Sequence, residues 1–288
     1  MYHKLIRKNQ KNNFAHYTPE QCEKAGVEYL VFPQLEETGL VKHLFSTRLG
    51  GVSKGACATM NFSYIRDDDA AAVDENFNRI AAVMNTSVDQ FVCSDQTHTT
   101  NIRIVDRKDC GKGIRRPRDY QDVDGLITNV PGIMLATFYA DCVPLYFVDT
   151  INKAIGLSHS GWRGTVNQMA ACTLDAMKDA FGTKPQNVLA AIGPSICQDC
   201  YEVGAEVAEA FRQVFPANEN AVIRYSDTPG KYQLDLWKAN YLILLHAGVQ
   251  AEHISVTDIC TCCNPDYLFS HRASEGKRGN LGAFLMLN

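Results

Sequence analysis

Three residues far apart in the chain, His98, Cys142 and His159, combine two imidazoles with one thiol. Two nitrogen ligands and one thiolate suit zinc, and three protein ligands with a vacant fourth position form the pattern of a catalytic site, whereas a structural site is closed by four. A zinc with an open position lowers the pKa of bound water to about 7, the chemistry used by zinc deaminases together with a nearby carboxylic acid. Asp124 and Asp141 are the candidate carboxylates. The spacing is loose, so residue types leave other readings open. Cys142 lies inside the apolar run YADCVPLYFVD, where a lone cysteine can simply be a small buried hydrophobe and the histidines polar contacts. The same residues also suit a metal-free Cys-His hydrolase, with Cys142 as nucleophile and His159 as base.

The residues after His159 suggest a ligand. Gly161 and Gly164 flank Trp162 and Arg163 just before an expected helix, so the loop can approach a ligand closely and the helix N-terminus favours an anion. Arg163 offers a grip on phosphate or carboxylate and Trp162 a flat surface for a ring; the competing reading is Trp162 as a core plug with Arg163 paired to an acid. In STRLGGVS, Arg48 stands beside Gly50 and Gly51, and in YLFSHRASEGKRG, Arg272 follows Ser270 and His271. Each is common in a plain turn or a solvated basic loop, but three arginines in three Gly-containing loops imply an anionic substrate. Asn61 and Gln96 add hydrogen-bonding groups for a sugar or a base.

Eleven cysteines are many for an intracellular chain, and Cys197, Cys200, Cys260, Cys262 and Cys263 gather toward its end. A CxxC and a CxCC are each suggestive of zinc, and they close a four-thiolate site if the fold brings them near. A metal-sensing or interaction module, with no catalysis, is the reading they support by themselves.

The elements that must position these groups follow from periodicity. EYLVFPQL and VKHLFSTR read as short strands, and DAAAVDENFNRIAAVMN as a helix with Val73, Phe77, Ile80 and Met84 on one face. FVCSDQTHTTNIRIVD alternates as a strand; DVDGLITNVPGIMLATFYA gives two strands about a turn at Pro131-Gly132. LYFVDTINKAIGLSH is a pair of strands joined across Asp149 to Asn152. TVNQMAACTLDAMKDAFG reads as a helix with Thr165 as N-cap and Gly182 as stop, followed by a strand in NVLAAIGPSI and helices in GAEVAEAFRQVF and LDLWKANYLILLHAG. YLFSHR and LGAFLML close the chain as strands. His98, Cys142 and His159 are then at or near strand ends, which hold side chains rigidly. Runs of strands broken by single helices favour an α+β arrangement of mixed sheets in a single domain over a doubly wound one, with residues 1–40 as an N-terminal segment of no assigned role. No GxGxxG follows a strand, so nothing signals a dinucleotide.

Composition excludes other classes. Hydrophobic residues at 45% and charged residues at 21% are those of a globular protein, and no apolar run approaches the roughly 18 residues that span a bilayer. The opening MYHKLIRKNQKNNF carries Lys4, Arg7, Lys8 and Lys11 without an apolar segment, so it fails the signal-peptide pattern and a cytoplasmic location is expected. A net charge of −4 gives no general attraction to nucleic acid.

STRLGGVS, MNFS, DQTH, DVDGLIT, ADCVPL, SHSGWRG, IGPSI, CYEVG, LDL, ICT and FSHR occur in this order from about Phe45 to the C-terminus. In this the chain resembles the YfiH-type laccase-domain family, first described as multicopper polyphenol oxidases. The resemblance implies a zinc-dependent purine nucleoside phosphorylase active on adenosine, inosine and S-methyl-5'-thioadenosine, with an associated adenosine deaminase activity. It places the zinc ligands on His98, Cys142 and His159, and implies a mixed-sheet α+β fold of the CNF/YfiH-like kind grouped with putative cysteine hydrolases. The substrates would be a purine nucleoside and phosphate, with Arg48, Arg163 and Arg272 as candidates for the phosphate. A peptidoglycan-precursor editing role has also been attached to the family. Departures are Ser158 and Ser160 beside the motif histidine, Arg272-Ala273 where two arginines are usual, and Asn280 in place of a family arginine, for which Lys277 and Arg278 lie close enough to substitute. Copper oxidation of phenols needs several coppers held by many imidazoles; this chain has eight histidines, and His3, His16 and His43 precede the motifs.

Overall fold

The protein is described by a computed structural model covering residues 4–8 and 20–288; His3, Lys11 and His16 lie outside the described residues. Two six-stranded sheets form its centre. The first runs, edge to edge, Glu20–Lys24, Val27–Val31, Val41–Ser46, Leu281–Leu287, Met134–Tyr139 and Phe91–Cys93. The second runs Ile254–Val256, Val188–Ile192, Val143–Asp149, Ala154–Ser160, Gly125–Thr128 and Ile102–Ile104. Both are mixed: Phe91–Cys93 pairs parallel with Met134–Tyr139, while Leu281–Leu287 pairs antiparallel with it. A three-stranded sheet of Glu202–Gly204, Lys231–Leu234 and Ile223–Tyr225 stands beside them.

Alternation along the strands sets the layers. Leu135 packs between the two sheets with Tyr146 and Leu157, while its neighbours Met134 and Ala136 face the helix Ala70–Val83. On the second sheet, Leu145 and Phe147 point the other way, toward the helices Met169–Phe181, Ala205–Val214 and Leu236–His246. The result is helix, sheet, sheet and helices in succession, so the central strands have both faces covered. Val143–Asp149 and Ala154–Ser160 are accordingly buried at every residue.

Local chemistry explains the ends. Asp69 caps the helix Ala70–Val83 by accepting from the Ala71 amide, and Val73, Phe77, Ile80 and Met84 are all buried. Asp235 caps Leu236–His246 by accepting from the Lys238 amide, and Gly182 ends Met169–Phe181 in the left-handed region.

Three expectations are corrected. FVCSDQTHTTNIRIVD is two strands, Phe91–Cys93 and Ile102–Ile104, in different sheets, and the intervening loop carries His98. The helix expected from Thr165 begins earlier and breaks: Trp162–Val166 is a short turn of helix, Gln168 adopts φ 62°, and Met169–Phe181 starts anew. Thr165 turns its hydroxyl back to the Gly161 carbonyl, so it caps nothing. YLFSHR is not a strand; its backbone leaves the sheet to wrap Asp141.

His43 lies between the sheets, stacked on Phe32 and edge-on to Tyr146, with its Nε2 accepting the Phe32 amide. Burial pushes its pKa down to about 3. The unfolded chain takes up this proton near pH 6.5 and the folded one only near pH 3, so stability falls as pH drops through that window. Glutamine at position 43 keeps an acceptor for Phe32 without the titration. His43→Gln is therefore expected to lose about 2 kcal/mol less stability than the parent between pH 6.5 and about pH 4.5, read from urea unfolding at the two values.

Candidate metal centre and cavity

The second sheet and two loops bring the three groups together. His159 is the penultimate residue of Ala154–Ser160, Cys142 immediately precedes Val143–Asp149, and the antiparallel register puts these strand ends side by side. His98 comes from the loop that crosses between the sheets. The ligand atoms of His98, Cys142 and His159 all lie within 4.8 Å of one another, with Cys142 Sγ 3.8 Å from His98 Nε2. The two imidazoles meet edge to face at 4.9 Å between centroids.

Asp124 organises the centre from behind. It is fully buried, and Oδ1 accepts from His159 Nδ1 at 2.7 Å and from the His98 amide at 3.1 Å. Oδ2 accepts from the Thr97 and Thr99 amides and the Thr99 hydroxyl. Burial pushes the Asp124 carboxyl up, but the bond and charge of His159 and these amides outweigh it and hold it below the ordinary range. The bond from Nδ1 leaves His159 Nε2 to face Cys142 and His98, the carboxylate–histidine arrangement that orients metal ligands. It also fixes the loop: His98 adopts φ 68°, a strained value for histidine, and its amide is tied to Asp124.

Electrostatics prepare the thiol. Burial raises the Cys142 pKa, but the charge and hydrogen bonds of His159 and His98 overcome this and leave it at about 6. Burial lowers His159, and the Cys142 charge with the Asp124 bond overcomes that and leaves it at about 9. Sulfur therefore carries negative charge at neutral pH, the form that ligates metal or attacks an electrophile.

The residues fit a zinc ion in donor type and number, and Gly161 supplies an independent sign of fit. A Cβ there would stand 2.8 Å from His98 Cδ2 and 3.1 Å from Cys142 Sγ, so the glycine makes room for both ligands. Its φ of −73° suits any residue, so Gly161→Ala is a purely steric change. It is expected to weaken zinc affinity about 10–100-fold in a competition titration while leaving the thermal midpoint nearly unchanged.

His98, Cys142 and His159 open onto a cavity of about 290 Å³. Gln96 and Tyr139 line it near the centre, Tyr64 and Phe138 give it aromatic walls, and Arg66 and Arg278 form another part of its surface. The Nε of Arg66 and of Arg278 are buried with no hydrogen-bond partner. Burial, then the neighbouring Arg66 charge, hold the Arg278 guanidinium down at about 10. Two like charges with unspent donors beside one cavity form a site suited to an anion.

The other sequence candidates divide. Gln96 lines the cavity, though its amide is engaged with the Phe138 backbone and the Ser94 hydroxyl. Asp141 lies behind Cys142 at φ 87°, accepting from the Thr261 hydroxyl and the Arg272 amide, and does not line the cavity. Arg48 bonds the carbonyls of Ala58 and Pro265 and covers the Phe269 ring at 4.6 Å. A Cβ at the adjacent Gly51 would overlap the Thr59 carbonyl, so that glycine serves a tight backbone crossing. Asn61 is fully buried and ties Ser63, Asp68 and Asn280 together. Arg163 stacks on Trp162 at 4.2 Å, and Arg272 bonds the Glu202 carbonyl; none of these three lines the cavity. Of the basic groups that do, Arg118 is paired with Asp95 at 2.7 Å, and the other two, Arg66 and Arg278, are obscured in the sequence. Arg66 precedes Asp67, Asp68 and Asp69 and reads as a surface ion pair, while Arg278 enters only as a substitute for Asn280.

A family profile described as multi-copper polyphenol oxidoreductase laccase matches residues 42–288. The purine nucleoside phosphorylase YlmD of Bacillus subtilis is 36% identical over 243 residues, covering 84% of this chain and 86% of its own. The adenosine deaminase RL5 of an unknown prokaryotic organism is 35% identical, covering 79% and 87%. The crystal structure of the Bacillus licheniformis hypothetical protein YfiH superimposes with a TM-score of 0.87 at 31% identity, covering 93% of this chain and 99% of that one.

Proposed function

The chain belongs to the multi-copper polyphenol oxidoreductase laccase family, and from that premise we propose that it is a zinc-dependent purine nucleoside phosphorylase acting on adenosine, inosine and S-methyl-5'-thioadenosine. The observation that carries the reading is the pairing, in one cavity, of the His98, Cys142 and His159 centre with the unpartnered guanidinium nitrogens of Arg66 and Arg278.

His98, Cys142 and His159 would hold the zinc, which when bound supplies a Lewis acid at the cavity wall. The remaining work is positioning. Arg66 and Arg278 bind phosphate, whose charge offsets their mutual repulsion. Tyr64 and Phe138 bracket the purine, and burial in the cavity excludes water that would otherwise compete with phosphate at the anomeric carbon. Asp124 keeps the His159 Nδ1 proton in place, and with both oxygens engaged it acts as a positioning residue.

Incubation with adenosine, with and without phosphate, tests this. Adenine and ribose 1-phosphate appearing only with phosphate support phosphorolysis; release of neither product contradicts it. A second activity, deamination of adenosine at the same centre, is favoured by the likeness to the adenosine deaminase RL5, and it predicts inosine in both incubations. A Cys-His hydrolase would use the same charged Cys142 without metal, and predicts turnover that survives chelation but not thiol alkylation. A copper oxidase is disfavoured by donor type: His43 is locked in the core, and the two candidate metal clusters among the described residues hold only two imidazoles between them.

A further inference from the structure

We propose that Cys197, Cys200, Cys260 and Cys263 hold a second zinc ion in a closed four-thiolate site that braces the catalytic loops. The sequence shows a CxxC and a CxCC; the fold uses the second as another CxxC, with Cys260 and Cys263 as ligands and Cys262 left aside. Cys197 and Cys260 stand 63 positions apart in the chain, as do Cys200 and Cys263, yet the four sulfurs all lie within 4.8 Å of one another. Zinc–sulfur bonds of about 2.3 Å in a tetrahedron place sulfurs roughly 3.8 Å apart. Cys200 and Cys263 already stand 3.4 Å apart, too far for a disulfide and close to that spacing.

The surroundings are those of a thiolate cluster. The Cys197 amide donates to Cys260 Sγ at 3.2 Å, a backbone bond that favours negative sulfur and sets the turn through Gln198–Cys200. Cys197 and Cys260 are buried and Cys200 and Cys263 half-buried, so the cluster is largely shielded from water. Lys8 and Arg224 both reach Asp199, between the first two cysteines, bringing cations to a site whose four thiolates exceed the charge of one zinc. Four protein ligands leave no open position, which makes this site structural.

What it braces is visible. Thr261, next to Cys260, bonds Asp141, and Asp141 adjoins Cys142. Arg272 donates its amide to Asp141 and its guanidinium to the carbonyls of Cys200 and Glu202. Residues 4–8 dock on the same loop through Ile6 to Asn264 and Lys8 to Asp258. One ion thus fixes the turn at Cys197–Cys200 and the loop at Cys260–Cys263, and through them the backbone that presents Cys142.

Metal content of the full-length protein tests this separately from activity. Wild type is expected to carry two zinc ions per chain, and the double variant His98→Ala/Cys142→Ala one. X-ray absorption of that variant should show four sulfur ligands, and its cobalt form intense thiolate-to-metal absorption. Cys200→Ser/Cys263→Ser is expected to lose one of the two ions and to melt at lower temperature. A His98→Ala/Cys142→Ala protein with no metal, with iron in place of zinc, with nitrogen or oxygen ligands, or with a disulfide among the four cysteines would overturn the proposal.

Discussion

Replacing Arg278 with methionine is expected to lower phosphorolysis of adenosine about 10²–10³-fold at low phosphate, chiefly through weaker phosphate binding, while stability holds or rises. The two effects have opposite signs for one reason. Without an anion, Arg278 is a half-buried cation beside Arg66 whose Nη1 reaches Gly279 and Asn280 but whose Nε bonds nothing, so its charge is unfavourable in the empty cavity. With phosphate present, that same charge is met. Methionine keeps the length and apolar stem of the side chain and removes the repulsion. Phosphate dependence of the rate and the thermal midpoint, measured on one preparation, check both halves. A loss of stability with an unchanged KM for phosphate would make Arg278 a packing residue.

Asp124→Asn is the second large effect. The carboxylate is an acceptor to three amides, one hydroxyl and His159, and an amide side chain must turn its NH₂ toward some of these donors. The cost is about 3 kcal/mol of stability, from orphaned buried donors, together with a 10–100-fold loss of zinc affinity as His159 loses its orientation. The pH dependence has a fixed sign. Because the folded pKa lies below the ordinary 3.8, the stability Asp124 confers is complete above that value and is lost as pH falls through the folded one. The variant should lack this acid-side decline. Urea unfolding across the acid range and zinc competition measure the two effects.

Much of this architecture is legible in the sequence, for reasons that differ by element. The helix Ala70–Val83 is readable because capping by Asp69 and spacing at 3.6 residues agree. The pair Val143–Asp149 and Ala154–Ser160 is readable as two apolar runs about a polar turn. The loop holding His98 is not, because apolar alternation at both of its ends mimics one strand while the ends enter different sheets. The arginine-bearing loops mislead for a related cause. Gly50 and Gly51 look like an anion nest, but their freedom is spent on close backbone packing, and Gly161 makes room for sulfur and imidazole. Arg66 and Arg278 meet only after the sheets have formed; nothing local to either residue announces the other.

The centre itself is tested most directly by an anomalous difference map at the zinc edge, from crystals of a preparation already seen to phosphorolyse adenosine. The account predicts a peak within bonding distance of His98 Nε2, Cys142 Sγ and His159 Nε2, facing the cavity that Arg66 and Arg278 line. An active preparation with no metal between those three atoms would contradict it.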